Sequence, residues 1–251
     1  MKSFKLPSIL SIAFTSTLIT TLNGCTPLQA SFPPGVDQTN YTLHEVKGLQ
    51  SFAFTSGNYS IGSHPVEWTR SASSSQSSKT SIFMVSSENH VSQQSYTVSI
   101  PNSGSAIKGA QCKSQAEIEA SAIKASKTDT FSSEGIISST LSCELSATGK
   151  SGYKLELAQD SNHIMKKRGK LKGDDISVAI ESTGNSSSGM ALMGGITGYY
   201  LTEAGRLLAV VDVLNGGAVF LANNLDNQKQ DLLLNASAAL LSYKDLATKH
   251  R

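Results

Sequence analysis

The sequence predicts a mainly β fold: an antiparallel sheet built as a sandwich or a partly closed barrel, with one amphipathic helix at the C-terminus. Three observations predict it. Apolar residues alternate with small or polar ones through most of the chain, the period of strands with one buried and one wet face. Asn215-Gly216-Gly217 separates two apolar runs, as a hairpin turn does. Only the final stretch, Leu233, Ala236, Leu240, Tyr243 and Ala247, repeats at spacings of three and four.

The elements follow in order. Phe52 with Phe54 opens the alternation, and Tyr96, Val98 and Ile100 continue it. Leu141, Cys143 and Leu145, then Tyr153, Leu155 and Leu157, then Ile176, Val178 and Ile180 repeat it. Ala116 to Lys124 fits two states, because Ile118, Ala120 and Ala122 alternate while Ala and Glu also favour helix. Thr69 to Ser81 holds seven Ser in thirteen residues and reads as a flexible loop between strands. Gly189, Gly194, Gly195 and Gly198 mark a strand that bulges or is closely approached. Leu207 to Leu214 and Ala218 to Ala222 form a buried hairpin around the Asn-Gly-Gly turn. The helix is expected to close one side of the sheet. Asp226 and Asp231 near its start and Lys244 and Lys249 near its end would complement its dipole. Residues 41–251 thus read as a single β-rich domain with a Ser-rich loop near 69–81.

The N-terminus is of another kind. Lys2 and Lys5 precede an uncharged stretch, Leu6 to Leu22, which at 17 residues with Pro7, three Ser and four Thr is short and polar for a membrane span. It reads as an export signal. The stretch ends in Leu22-Asn23-Gly24-Cys25, which resembles the lipobox of bacterial lipoproteins. The resemblance implies a signal peptide of residues 1–24, diacylglycerol on the Cys25 sulfur and an acylated new amino terminus. It also implies outer-membrane placement, since Thr26 stands where inner-membrane-retained lipoproteins carry Asp. Two or three acyl chains hold a protein stably on a bilayer without spanning it. The competing cleavage, an ordinary secretory cut, would fall after Ala30 in Leu28-Gln29-Ala30. Residues 25–40, with Pro27, Pro33, Pro34 and Gly35, read as an extended tether.

With Cys25 lipidated, Cys112 and Cys143 remain as a pair in an oxidising compartment, where a disulfide is the default. Two buried thiols or a redox pair are the alternatives, the second lacking a Cys-x-x-Cys spacing.

The chain offers little by way of reaction chemistry. Ser105-Lys108, Ser121-Lys124 and Ser151-Lys154 match the Ser-x-x-Lys of penicillin-recognising enzymes, but 41 Ser and 17 Lys produce such pairs by chance. Five His stand singly, none within three to five residues of another, so no metal site or cofactor is expected. Glu117 and Glu119 share one strand face, and Asp174-Asp175 after Gly173 reads as a turn. Asp212 interrupts an apolar strand and is the one weak pocket candidate, with Arg206 as a structural partner. No catalytic residue is assigned.

Charge narrows the partners. Lys+Arg 21 against Asp+Glu 19 disfavours a nucleic-acid binder, and loss of Lys2 and Lys5 with the signal leaves 19 against 19. Lys166, Lys167, Arg168, Lys170 and Lys172 crowd into seven residues around Gly169, either as a contact for an anionic envelope surface or as a solubilising hairpin tip. The expectation is a lipid-anchored outer-membrane protein, facing periplasm or cell surface. It would act as a non-catalytic binding, assembly or envelope-maintenance module, with an envelope protein or anionic lipid as partner besides the bilayer. A carrier of an apolar or amphiphilic ligand and an envelope hydrolase with a dispersed site are the alternatives.

Overall fold

The computed structural model describes residues 29–49, 55–82, 85–101, 107–124, 130–147, 152–160, 163–187 and 195–246. Phe52, Phe54, Gly189, Gly194, Ala247, Lys249 and Cys25 lie outside them. Thirteen antiparallel strands follow in order: β1 (Tyr41–Lys47), β2 (Ser56–Ile61), β3 (His64–Arg70), β4 (Ser74–Ile82), β5 (Val85–Ser99), β6 (Ile107–Lys124) and β7 (Thr130–Ala147). Then come β8 (Tyr153–Asp160), β9 (His163–Lys172), β10 (Ser177–Thr183), β11 (Gly198–Glu203), β12 (Arg206–Asp212) and β13 (Ala218–Ala222), and finally the helix α1 (Asn227–Ser242).

Twelve of these strands close into a barrel, which settles the choice between sandwich and barrel. Neighbours in sequence pair as hairpins, β1 lies between β13 and β2, and β3 meets β5 through Glu67 opposite Ser99 and Arg70 opposite Tyr96. Alternation then sorts the side chains. Tyr153, Leu155 and Leu157 of β8 point in, while Lys154 and Glu156 point out; Val178 and Ile180 of β10 point in, while Ala179 and Glu181 point out. An apolar interior inside a charged wall is the reverse of a membrane-spanning barrel, whose outer band is apolar.

The lumen holds α1. Every residue from Leu232 to Ser242 is buried, and the helix touches β5, β6 and β7 on one side of the ring and β12 and β13 on the other. A helix apolar all round must be enclosed on all sides, so α1 fills the barrel instead of closing one side of a sheet. Its few buried polar side chains find partners: Ser237 donates to the Leu233 carbonyl, Asn235 to the Asp231 carbonyl, and the Ser242 hydroxyl meets that of Tyr59 on the wall. Asp226 caps the start by accepting from the Lys229 N–H. The wall caps the end, where Tyr96 donates to the Ala239 carbonyl at 2.9 Å and Arg70 to that of Ser242. The guanidinium meets the negative end of the helix dipole.

Two segments differ from the sequence expectation. The described part of the tether, residues 29–40, is built onto the barrel. Ala30 is buried and bridges Ser186, Tyr200 donates to the Ser31 carbonyl at 2.6 Å, and the Phe32 ring stands edge-on to Tyr41 and Phe220. This cover explains why β12 reads as a continuous apolar run: outward Val210 lies beneath the N-terminal segment while Ala209 and Val211 face the lumen. The Ser-rich loop is also absent as such. Thr69 and Arg70 end β3, and Ser74 to Ile82 form β4, paired residue for residue with β5. Tertiary pairing overrides the weak strand preference of Ser.

Beyond the rim four strands run on without the barrel. β5 pairs with β3 only from Tyr96 onward and β7 with β8 only from Thr140 onward, so β4, Val85 to Gln94, Gln115 to Lys124 and residues 130–139 make a projecting four-stranded arm. Ala116 to Lys124 is therefore strand.

Candidate functional site

Asp212 ends β12 at the rim from which the arm projects. It is buried, and its Oδ1 accepts from the Leu214 N–H at 2.8 Å while the carboxylate also accepts from the Ala30 backbone. Burial raises its pKa and these two N–H groups pull it back. Arg206, its suggested partner, lies at the far end of the same strand opposite Glu203. The carboxylate thus fastens the tight turn to the N-terminal segment. A cleft of about 240 Å³ opens beside it, lined by Gln29, Glu45, Lys47 and Asn215 among others.

The glycine reading holds at Gly198. A Cβ there would meet the Val211 carbonyl at 2.5 Å and the Ala30 Cβ at 2.8 Å, so the N-terminal segment is what approaches the strand.

The basic run splits by strand parity, since it forms β9 and not a hairpin tip. Lys166, Arg168, Lys170 and Lys172 face out, but Lys167 points into the lumen with Leu171. Acidic neighbours meet two of the outward four: Arg168 pairs with Asp160 at 3.2 Å and Glu181 at 3.1 Å, and Glu156 stands opposite Lys170, whereas Lys172 stands opposite Lys154. Gly169 lies mid-strand opposite Leu157, where a Cβ would collide with the Glu156 carbonyl.

Lys167, whose inward direction strand parity gives, closes a buried cluster that the fold assembles. Its ammonium lies 2.5 Å from the Ser139 hydroxyl, 2.7 Å from the Tyr243 hydroxyl and 3.0 Å from the Asp245 carboxylate. Three donors meet three acceptors, and the ring of Tyr243 lies beneath the charge. Burial lowers the Lys167 pKa, with Asp245 opposing, and raises that of Tyr243 well above the usual phenol range. The cluster pins the chain just after α1 to β7 and β9.

Cys112 and Cys143 form a disulfide and face each other directly across β6 and β7, both buried against the helix side of the wall. Glu117 and Glu119 are placed on the outward face of the arm, where Glu119 accepts from Ser87 at 2.8 Å.

Sequence reading missed the arm. At its end Ile82, Val85, Ile123 and Phe131 stand opposite one another across all four strands, hence on one face, and are 70%, 49%, 52% and 68% exposed. The signal lay in four separate apolar residues whose register only the fold supplies. Comparison of the chain with protein-family models, with curated proteins and with solved structures finds no match.

Proposed function

We propose that this chain is a lipid-anchored bacterial envelope protein, held at the outer membrane through Cys25, that acts as a non-catalytic binding or assembly module. The observation that carries the reading is the four-stranded arm. It adds nothing to barrel closure, leaves both its edges unpaired among the described residues along its outer length and displays an apolar row to solvent, which is how a protein presents a contact surface. The barrel beneath serves as a rigid base.

The packing also favours the lipobox over the competing cut. Cleavage after Ala30 would remove Gln29 and Ala30, although Gln29 exchanges hydrogen bonds with Ser187 and Ala30 fills the space beside Gly198. Cleavage before Cys25 keeps both. The carrier reading is disfavoured because α1 occupies the volume a ligand would need, and the hydrolase reading because the oxygens of Asp212 are spent on backbone N–H groups.

Mass spectrometry of the mature N-terminus tests the anchor: a diacylglyceryl Cys25 is expected, and an unmodified peptide starting at Ser31 refutes it. Photo-crosslinking in intact envelopes tests the arm. A photoreactive residue at Gln76 of β4 should capture an envelope component and one at Gln111 on the barrel wall should not; the reverse pattern refutes the reading.

A further inference from the structure

We infer that the apolar row Ile82, Val85, Ile123 and Phe131 is a second bilayer contact, working beside the lipid on Cys25; this rests on the lipoprotein reading above. The row is chemically suited to lipid. The two rows behind it hold only Ser, Thr and Ala by register, and Glu119, on the same face in the fourth, accepts from Ser87 in the second. Lys124 stands just outside the row, exposed. An apolar edge with a cation beside it fits the boundary between headgroups and acyl chains.

Placement commits the occupant. β6, β8, β10 and β12 run in one direction, and β6 leaves the barrel into the arm at its C-terminal end. The C-terminal ends of β10 and β12 therefore lie at that same rim, and there Ala30 bridges Ser186 and Asp212 accepts from Ala30. The chain thus enters the barrel at the arm's rim, with Cys25 four residues before Gln29. Four residues reach at most about 14 Å, so a lipid on Cys25 holds this rim close to the bilayer.

The arm extends ten residues from Ser95 to Val85, about 33 Å. It projects from the β5 to β7 side of the ring, whereas the N-terminal segment covers β11 to β13 across the lumen. A barrel standing upright would hold the two contacts at different heights. With the barrel leaning, both reach one plane, the lipid under one side of the rim and the tip beyond the other.

The test uses the full lipidated chain, with a polarity-sensitive fluorophore on Lys124→Cys or, as control, on Lys113→Cys on the barrel part of the same strand. Each is reconstituted into vesicles of phosphatidylethanolamine and phosphatidylglycerol with or without doxyl-labelled lipid. The label at 124 should shift to the blue and lose most of its intensity to doxyl lipid, and the label at 113 should do neither. The combined Ile82→Ser, Val85→Ser, Ile123→Ser and Phe131→Ser chain should still float with vesicles through its lipid but lose the effect at 124. A label at 124 as wet as that at 113, in a chain that floats, overturns the proposal. So does a blue shift without doxyl quenching, which would mean that a second copy or another protein covers the row. If the chain neither floats nor carries lipid, the anchor reading fails by itself. The label at 124 then decides the tip on simple mixing with vesicles, quenching supporting it and its absence overturning it.

Discussion

The Lys167–Asp245 pair is predicted to respond asymmetrically to loss of either partner. The Lys167 side chain is 5% exposed and that of Asp245 23%, so the two do not share the same access to water. Asp245→Asn leaves an ammonium inside the barrel whose neighbours, the Ser139 and Tyr243 hydroxyls and the new amide, are all neutral. Breaking a fully buried pair costs about 3–5 kcal/mol, and the partial exposure here reduces that to about 2–3 kcal/mol. Lys167→Met instead leaves a carboxylate that can hydrate, still near the Ser139 hydroxyl at 3.2 Å, and a flexible side chain that fills the same space. Its cost should be about 1 kcal/mol or less.

Urea unfolding followed by the single, buried Trp68 measures both. In thermal melts Asp245→Asn should lower Tm by about 4–12 °C. The deficit also has a pH signature. Burial lowers the Lys167 pKa and Asp245 opposes the shift, so removing Asp245 deepens it. A lysine with a depressed folded pKa makes the unfolded state bind more protons at alkaline pH. Stability of Asp245→Asn should therefore recover as pH rises toward the ordinary lysine value of 10.5. Lys167→Met placed in the Asp245→Asn background should also restore stability. If Lys167→Met costs as much as Asp245→Asn, or the double variant is no better than Asp245→Asn alone, the cluster does not hold a desolvated charge.

Three further outcomes are expected. Burial first, then repulsion from His64, lowers the His44 pKa below 6.5, so the stability of the neutral ring is lost as pH falls through the folded value; Tm measured from about pH 7 to 5 should drop more in wild type than in His44→Gln. Replacing Cys112 and Cys143 by Ser opens a 31-residue loop and should cost about 3–4 kcal/mol in chemical unfolding without changing the strand content seen by circular dichroism. Gly198→Ala should cost about 1–3 kcal/mol and speed hydrogen exchange at residues 29–32, because the new methyl displaces Ala30 or the Val211 carbonyl; unchanged exchange would mean the segment is not seated there.

Local signals carried much of the fold. The hairpin β12–β13 follows from Asn215-Gly216-Gly217, whose three φ angles are all positive, and α1 follows from its period. What local signals could not reveal was what each face meets. The helix was legible as a helix, yet Leu232, Leu233 and Leu234 in succession already exceed a one-sided stripe, and only barrel closure shows where such an element is enclosed. β4 was invisible because its Ser residues neither alternate with apolar ones nor bury anything; pairing with β5 alone makes it a strand. Charge density groups Lys167 with its neighbours, although Lys167, Gly169 and Leu171 share one parity and Lys166, Arg168, Lys170 and Lys172 the other. Parity assigns Lys167 to the lumen.

That reassignment bears on the choice of partner. As a run, five cations in seven residues suggested an anionic surface. As a strand, one cation is consumed inside by Asp245, Arg168 is paired with Asp160 and Glu181, and Glu156 stands opposite Lys170, while Lys172 faces Lys154. Paired opposite charges at strand spacing cancel beyond a Debye length of about 8 Å, so these pairings weaken the field that the run projects toward a distant surface. The apolar row on the arm has no such compensation among the described residues: its four side chains face solvent together, and the nearest apolar cover, Leu246 against Ala116 and Ile136, lies on the barrel side of the arm. Exposed apolar area loses about 25 cal/mol of stabilisation for each Å² left in water. Four of the six large apolar side chains exposed among the described residues therefore stand together at the arm's end, which ranks the tip ahead of the basic strand as the contact surface to test first.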